Sequence, residues 1–415
     1  MDPMPSIIDL DDPDWDPFTT PRDGDVRDPY PKIAQMSREA PVHEVNYRAI
    51  FDVVPFTGHS QEKHFSVFGY DPIAKLLLMP EVFSNEAFKE TLGKSFGRSI
   101  STMDPPEHSR YRRIFQKAFL PQVVAKWGDE VVSPVVDKLM ANFAHRGSAD
   151  LVQEFTVHYP FQVIYAQLGL PPAEAPVFHK LAVAQTLSQV GIEQGFEATE
   201  KLGVYFQKLV DYRRKNSDID IVTHLSSVEV DGEKLPDEIV VSFLRQLVNA
   251  GGDTTFRATS ILLTGLLRNP DQLAALREDR ALLPRAIDEA LRWDGPVTNT
   301  FRMTTQDTEI EGTKIPAHSV INVVLGSANR DPSKFDNPDQ FDIMRPQGKY
   351  RHLGFATGPH VCIGQHLARL EMTRAVNAIL DGLPNLRLDP DKPEPDIRGC
   401  MMRVPEHLHV LFDPA

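Results

Sequence analysis

The sequence predicts a mainly α-helical protein with a small antiparallel β region. Several stretches place apolar residues at i, i+3, i+4 and i+7, which is one face of a helix. The 34 prolines fall between these stretches, so they mark loops and helix starts rather than one low-complexity tract. Stretches in the second half of the chain alternate apolar and polar residues, a pattern that is typical of strands.

Residues 105–119 are predicted to form a helix with one apolar face. The opposite face is basic and carries Arg110, Arg113 and Lys117. Because the apolar positions keep the helical period throughout, this segment is expected to pack one side against the core and expose the other.

Residues 236–268 carry a helical pattern much longer than the average helix of ~12 residues. The pattern starts in LPDEIV, where a proline and two acids suit a first turn, and it stops at Asn269 and Pro270. Such a helix is expected to cross the whole molecule. Shorter helices are predicted at 283–293 and 363–380.

The predicted strands lie between and after these helices. The period changes to two in TEIEGTKIP and SVINVVL, with Gly312 at a turn, and the end of the chain, IRGCMMRVPEHLHVLF, is predicted to form a strand pair. The motifs described below spread from about residue 104 to 371 and need one another. They are therefore expected to converge within a single domain, 1–415.

Composition excludes several classes of protein. With 44 basic and 58 acidic residues the net charge is −14, which argues against a nucleic-acid partner. No stretch approaches the ~18 uninterrupted apolar residues of a membrane span, and the acidic start lacks the layout of a signal peptide. We expect a cytoplasmic protein without a membrane anchor. The two cysteines, Cys362 and Cys400, are too few for a disulfide scaffold, and Cys400 is expected to be a small buried residue.

The densest chemistry lies in HLGFATGPHVCIGQHLARLE, just before the last predicted helix. A loop that runs into a helix N-terminus offers backbone N–H donors, which can hold the negative charge of a Cys362 thiolate. Gly358 and Gly364 allow a tight turn and a close backbone approach. Phe355 is placed to shield the sulfur from water. A lone buried structural cysteine is the alternative interpretation.

The order Phe355, Gly358, His360, Cys362 and Gly364 resembles the haem-binding loop of cytochrome P450 enzymes. The resemblance implies the cytochrome P450 fold, a helical bundle around haem b, with Cys362 as the axial ligand of the iron. The loop departs from the family at one position, because Ala356 stands where the family usually has glycine. We expect this to affect the local turn more than ligation.

The long helix contains AGGDTT, residues 250–255, where two consecutive glycines cost up to ~1 kcal/mol each relative to alanine. The segment resembles the family's acid-alcohol pair beside Ala250 and Gly251, which lie next to the haem. Asp253 and Thr254 are then the catalytic residues that deliver protons to dioxygen, and the glycines let the helix bulge beside the iron. Alternatively, Asp253 and the threonines merely satisfy each other in a kinked helix.

Glu289 and Arg292 lie three residues apart on one helix face. Downstream, NRDPSKFDNPDQFDIMRP resembles the irregular segment that precedes the cysteine loop in this family, and its Arg345 would complete a three-residue network. A carboxylate held by two guanidinium groups could lock the core around the haem, so the predicted role is structural.

The two propionates of a haem need cationic or N–H partners. His108 and Arg112 lie at i and i+4 in the predicted helix and resemble the family's propionate-binding helix, while Arg302 and His360 match further family contacts. For any one of these residues an exposed charge is the alternative interpretation. The predicted substrate pocket over the haem is formed by Leu247, Val248, Val297, Asn299 and Met401, with Ala250 beside them.

The resemblance therefore implies a haem-thiolate monooxygenase that inserts one oxygen atom of O2 into a hydrophobic small molecule, such as a terpenoid, a steroid-like or an aromatic compound. Electrons are expected from NAD(P)H through a reductase and an iron-sulfur ferredoxin or a flavodoxin, with an acidic ferredoxin docking near Arg113 on a monomeric enzyme. A peroxide-driven enzyme on the same fold and a non-catalytic haem sensor or carrier are the alternatives.

Overall fold

The computed structural model describes residues 3–19, 24–218, 220–230, 232–346 and 348–414. The α-helices are α1 Tyr30–Glu39, α2 Tyr70–Leu77, α3 Leu92–Phe96, α4 Glu107–Ala118, α5 Pro121–Trp127, α6 Ser133–Met140, α7 Tyr159–Gln167, α8 Ala175–Ala184, α9 Glu193–Lys215, α10 Ile221–Ser227, α11 Asp237–Arg268, α12 Pro270–Glu278, α13 Leu283–Trp293, α14 Leu325–Asn329 and α15 Gln365–Gly382. The strands are β1 Val42–His43, β2 His64–Val67, β3 Phe83–Ser84, β4 Ser148–Asp150, β5 Glu229–Val230, β6 Glu233–Lys234, β7 Thr300–Thr304, β8 Thr308–Ile310, β9 Thr313–Ile315, β10 Val320–Val323, β11 Arg387–Leu388, β12 Ile397–Arg398, β13 Val404–Pro405 and β14 His409–Leu411.

The strands form small sheets beside the helices. One sheet has the order β1-β2-β10-β7-β3, a second has the order β11-β14-β4, and the pairs β5/β6, β8/β9 and β12/β13 stand alone. The pairing of β10 with β2 is parallel, and the other pairings in these sheets are antiparallel. The fold is thus mainly α with a minor, mostly antiparallel β region, as the sequence predicts.

The long predicted helix is confirmed as α11. It begins directly after Pro236 with Asp237 and Glu238 in its first turn, where acids complement the helix dipole, and it ends before Asn269 and Pro270. Most of its residues are buried, because it packs against α7, α9, α13 and α15. This central position allows α11 to form one wall of the functional site.

The other predicted elements also form, with shifted ends. Helix α4 buries its predicted apolar face, and α13 has the expected bounds. Helix α15 begins at Gln365, two residues later than predicted, because 363–364 still belong to the turn after the cysteine. At the end of the chain β12 pairs with β13 as expected, whereas β14 joins β4 and β11.

The expectation for Cys400 agrees with the structure. Both cysteines lie in the described part of the chain, no disulfide joins them, and Cys400 is fully buried. Among the described residues, no helix is at once long and apolar enough to cross a lipid bilayer.

Candidate functional site

A cavity of about 380 Å³ lies between α11 and the cysteine loop. This volume is within the range of ordinary ligand pockets, and most of the wall is apolar. The structure brings many of the predicted site residues into this wall: His108, Arg112, Leu247, Ala250, Gly251, Thr254, Val297, Arg302, Phe355, His360, Cys362 and Gly364.

Cys362 lies in the cavity wall at the entry to α15. Its backbone N–H donates to the Phe355 carbonyl at 2.9 Å, which closes the loop that precedes the helix. Burial raises the pKa of the Cys362 thiol, while the backbone N–H groups of Gly364 and Gln365 and the nearby Arg112 cation act to lower it. The helix start therefore supplies the N–H donors that the sequence predicts for the sulfur.

Gly358 is required by the tight turn that the sequence predicts and also by its packing on α2. Its φ is +76°, and a Cβ at this position would lie 2.4 Å from the carbonyl oxygen of Leu77 at the end of α2. Gly358 does not line the cavity. At Gly364, by contrast, a Cβ would make an ordinary 4.0 Å contact with the Cys362 sulfur. Gly358 thus serves the turn and the packing on α2, whereas Gly364 lies in the cavity wall.

Ala356, which stands where the family usually has glycine, has a strained backbone conformation. Ala356 has φ +55°, in the left-handed region, where a Cβ costs roughly 1–2 kcal/mol relative to glycine. Its N–H donates to the Leu353 carbonyl at 2.8 Å, so the turn keeps its hydrogen bond. The alanine therefore preserves the turn but stores strain in it.

Replacing Ala356 by glycine is expected to raise the free energy of unfolding by about 0.5–1 kcal/mol, because relief of the left-handed strain exceeds the added flexibility of the unfolded chain. The change is read as an upward shift of the thermal or urea midpoint. The matched control is Ala378→Gly inside α15, which should lower stability by about 1 kcal/mol. A shift of the same sign in both variants would contradict the strain argument.

The predicted propionate partners meet at one edge of the cavity. The His108 and His360 rings are 3.9 Å apart between centroids, and Arg112 donates to the Val361 carbonyl. Burial lowers the pKa of His108 to about 4, of His360 to about 2 and of Arg302 to about 10. This edge is a buried cluster of basic groups.

Several nitrogens in this cluster lack a hydrogen-bond partner, and the nearest carboxylate to His360 Nε2 is that of Asp104, at 4.0 Å. Both ring nitrogens of His108 and Nε2 of His360 have no hydrogen-bond partner among the described residues, while His360 Nδ1 lies 3.1 Å from Asn85 Nδ2. The Arg302 guanidinium donates to the neighbouring Phe301 carbonyl at 2.6 Å. Buried donors of this kind call for an anionic acceptor in the cavity.

In α11 the acid and the alcohol face different surroundings. Thr254 lines the cavity, and its hydroxyl donates to the Ala250 carbonyl at 2.8 Å. Asp253 lies outside the cavity wall, buried, with its two carboxylate oxygens each 3.1 Å from the guanidinium of Arg257. Asp253 therefore forms an ion pair with a residue one helical turn along α11.

The expected helix bulge at the glycines is absent, since α11 runs unbroken through residues 250–255. A Cβ on Gly251 would lie 2.6 Å from Ile164 Cδ1, and one on Gly252 would lie 2.4–2.6 Å from ring atoms of Phe161. Both neighbours belong to α7. The glycines therefore allow α7 to pack closely against α11.

The predicted three-residue network forms in full. Arg292 holds both carboxylate oxygens of Glu289 at 2.8 Å, and Arg345 Nε lies 3.1–3.2 Å from the same two oxygens. The Arg292 guanidinium also donates to the carbonyls of Asn329, Pro338 and Gln340. Glu289 thereby ties α13 to the irregular segment that leads towards the cysteine loop.

Comparison with known proteins gives the family. A family model described as cytochrome P450 matches residues 191–410. The chain is 33% identical over 388 residues to the cytochrome P450 monooxygenase PikC of Streptomyces venezuelae, which covers 90% of this chain and 89% of that protein.

The chain belongs to the cytochrome P450 family.

The solved structures of relatives agree with this assignment. Cytochrome P450 CYP109Q5 from Chondromyces apiculatus has a TM-score of 0.82 at 30% identity, over 94% of this chain and 96% of that chain. CYP109E1 from Bacillus megaterium in complex with testosterone has a TM-score of 0.80 at 26% identity, over 92% of this chain and 99% of that chain. The protein is therefore a haem-binding oxidoreductase of the monooxygenase class.

Three predicted pocket residues of this P450 do not reach the cavity. Val248 is fully buried in the apolar core on another face of α11. Asn299 is buried just before β7, with its Nδ2 4.0 Å from the Met401 sulfur, and Met401 packs against apolar clusters that contain Phe68 and Phe301. Val248 and Asn299 each lie next to a wall residue, Leu247 and Thr300, and successive side chains on a helix or an extended segment point in different directions. Met401 has no neighbour along the chain in the wall.

The structure adds wall residues that the sequence did not reveal. The polar ones include Ser101 and Gln246, which share a 2.5 Å hydrogen bond, and the apolar ones include Phe88, Leu92, Ile100, Ile164 and Phe243.

Glu371 of α15 also lines the wall. Burial raises the pKa of Glu371 well above its usual range, and neither carboxylate oxygen has a hydrogen-bond partner among the described residues. In the sequence, the only indication that Glu371 lies near the site is its place at the end of LARLE, seven residues after Gly364.

His179 of α8 is another residue that the sequence reading missed. Its ring lies 4.1 Å from Phe161 and 5.0 Å from Phe18, between centroids. Burial, together with His158, lowers the pKa of His179 to about 3, although the Asp253 carboxylate acts to raise it. The ring is therefore neutral at physiological pH.

Stability is expected to fall as the pH drops below about 6.5, because the unfolded chain protonates His179 more readily than the folded chain. A histidine with a lowered folded-state pKa stabilises fully above its unfolded pKa, and that stability is lost as the pH falls towards about 3. At pH 5 the loss from His179 is about 2 kcal/mol. His179→Phe, which keeps the ring packing, should reduce the drop in urea midpoint between pH 7.5 and pH 5. The control is exposed His145→Gln, and equal drops in both variants would contradict the assignment to His179.

Proposed function

We propose that this P450 hydroxylates an apolar small molecule bound in the cavity between α11 and the cysteine loop, using O2 and electrons from NAD(P)H. The observation that carries the proposal is that the Cys362 sulfur and the Thr254 hydroxyl line the same cavity. An iron ligand and a proton-handling group would thus border one cavity of about 380 Å³.

The residues around the cavity fit a haem. Cys362 would bind the iron, while the unpartnered ring nitrogens of His108 and His360 and the buried Arg302 and half-buried Arg112 would take the propionates. Phe355 would cover the sulfur, assisted by the Arg369 guanidinium, which lies 5.0 Å from its ring centroid. When bound, the haem supplies dioxygen binding and the oxidising power for insertion into a C–H bond. The remaining catalytic work falls on the side chains of this chain.

Thr254 would hold a proton donor at the cavity face of α11. Its hydroxyl proton is engaged by the Ala250 carbonyl, so its oxygen is free to accept a hydrogen bond from the cavity side. Asp253 would bring protons from outside the wall, and this requires its carboxylate to separate from Arg257 during the cycle. Asp253 and Thr254 therefore act in sequence rather than side by side.

The substrate is proposed to be hydrophobic and terpenoid, steroid-like or aromatic. The apolar wall provided by residues such as Leu247, Val297 and Phe243 supports this class, as does the relative that binds testosterone. Because Asn299 faces away, the Ser101–Gln246 pair is the better candidate for one orienting hydrogen bond.

Electrons would arrive from an iron-sulfur ferredoxin or a flavodoxin. On α4, Arg113 and Lys117 are exposed, whereas Arg110 is half-buried, so the proposed basic docking face is smaller than the sequence suggested. Acidic donors would be attracted by charge complementarity. A single domain over 1–415, a monomeric state and a cytoplasmic location remain part of this proposal.

The test is the coupling of electron consumption to product formation in Thr254→Ala. We expect the fraction of NAD(P)H recovered as product to fall at least about tenfold, with hydrogen peroxide appearing instead, because proton delivery at the cavity face is lost. The control is Thr264→Ala, which removes an equivalent hydroxyl bond on buried α11 outside the cavity. Full coupling in Thr254→Ala, or equal turnover with hydrogen peroxide alone, would favour the peroxide-driven alternative. No product at all from the wild type under any reducing conditions would favour a sensor or carrier.

A further inference from the structure

A cluster of metal-binding side chains lies outside the haem cavity. Asp150 ends β4, His409 begins β14, and the two residues are direct partners in the antiparallel register. His407 precedes His409 by two residues, so both imidazoles extend to the same side of the extended chain. The two rings stack at 5.2 Å between centroids, with an interplanar angle of 10°.

The carboxylate of Asp150 is oriented by the backbone. Its Oδ1 accepts from the N–H groups of Leu408 and Val152, each at 3.0 Å. This leaves Oδ2 towards the imidazoles, 2.6 Å from His407 Nδ1 and 3.8 Å from His409 Nδ1. One ligand atom from each of the three residues therefore points at a common space, with all three atoms within 4.8 Å of one another.

We propose that Asp150, His407 and His409 bind a divalent transition-metal ion, with Zn²⁺ as the best match. Two imidazole nitrogens and one carboxylate oxygen are the ligands that zinc prefers, at about 2.0–2.2 Å, whereas Mg²⁺ and Ca²⁺ prefer sets made of oxygen. In a tetrahedral site ligand atoms lie about 3.4 Å apart, so the 2.6 and 3.8 Å separations need only small side-chain rotations. Copper and nickel ions would compete according to their higher or similar affinity for such ligands.

The surroundings suit a cation that keeps water in its open position. The His407 side chain is half-exposed, while that of Asp150 is mostly buried, so the site is anchored on one side and accessible on the other. Glu406 Oε1 lies 4.0 Å from His407 Nε2 and Glu154 accepts the Asp150 N–H at 2.9 Å, and each of these carboxylates also pairs with an arginine, Arg398 and Arg146 respectively. None of the three ligands lines the haem cavity. The bound ion would clasp the C-terminal strand β14 to β4.

The test uses haem-loaded protein without an affinity tag, stripped with EDTA and dialysed. Equilibrium dialysis against ZnCl₂, with zinc measured by mass spectrometry, is expected to give about one zinc per wild-type chain. His407→Ala and His409→Ala should each weaken binding at least about tenfold, while exposed His318→Asn binds as the wild type does. Zinc should also raise the thermal unfolding midpoint of the wild type and of His318→Asn only, and Mg²⁺ should not.

Two results would overturn the proposal. One is the lack of saturable zinc uptake by the wild type, and the other is equal uptake by the wild type and the His407→Ala/His409→Ala double variant. The visible spectrum of the haem checks that each variant is folded. Because the readouts are zinc uptake and stability, they stand apart from any failure of the proposed oxygenase activity.

Discussion

Serine in place of Cys362 is expected to lower product formation by at least about a thousandfold, which corresponds to about 4 kcal/mol or more of transition-state stabilisation. A serine hydroxyl stays protonated at neutral pH, whereas the sulfur of Cys362 faces the N–H groups of Gly364 and Gln365, which favour its anionic form. The measurement is NAD(P)H-dependent product formation, with the spectrum of the reduced, carbon monoxide-bound protein recorded alongside.

The control for this substitution is Cys400→Ser. Cys400 is fully buried and lies outside the cavity wall, so this variant should keep the thiolate spectrum and most of the turnover, with some loss of stability. If oxygenation persisted in Cys362→Ser, or if the wild type showed a carbon monoxide spectrum typical of imidazole ligation, the proposed role of Cys362 would be wrong.

Glu289→Ala is expected to yield protein without haem or no folded protein at all. The substitution leaves the buried guanidinium of Arg292 and the mostly buried one of Arg345 without their shared carboxylate, and breaking such a buried pair costs about 3–5 kcal/mol. It also removes the acceptor of the Asp342 N–H, at 2.9 Å, and so loosens the segment before the cysteine loop. Haem content per chain and the thermal midpoint measure the effect.

Glu278→Gln serves as the matched substitution on the neighbouring helix α12. Glu278 is exposed, so its replacement should change stability by no more than about 0.5 kcal/mol and leave haem content unchanged. Full haem occupancy in Glu289→Ala would show that the network does not hold the proximal core.

The cysteine loop and the long helix could be predicted from the sequence because their signals are local. In the loop, Phe355, His360 and Cys362 stand close together in a short segment that ends in a helix start, and the backbone N–H donors to the sulfur follow from that order alone. The bounds of α11 follow from the acids after Pro236 and from the Asn269-Pro270 stop. The predicted network of Glu289 with two arginines was also placed correctly.

The wall of the cavity could not be predicted to the same degree. Leu247 and Val297 reach it, but Val248, Asn299 and Met401 do not. Val248 and Asn299 each lie next to a wall residue, and one residue of difference along a helix or an extended segment turns a side chain away. The prediction of a helix bulge at the two glycines was wrong for a related reason. Glycine is less favourable than alanine inside a helix, and the close contact of these glycines with Ile164 and Phe161 of α7 offsets that cost. The helical period of the sequence does not show which helix is the packing partner.

By itself, the sequence determined the family and the helical architecture, and it singled out the cysteine loop and the segment proposed to handle protons, because each depends on residues that are neighbours along the chain. Only the tertiary structure decided that Ser101 meets Gln246 in the cavity wall and that Asp150 meets two histidines near the C-terminus. These contacts arise from the packing and register of segments that are distant in sequence or on different helix faces. No local pattern of residues encodes that packing.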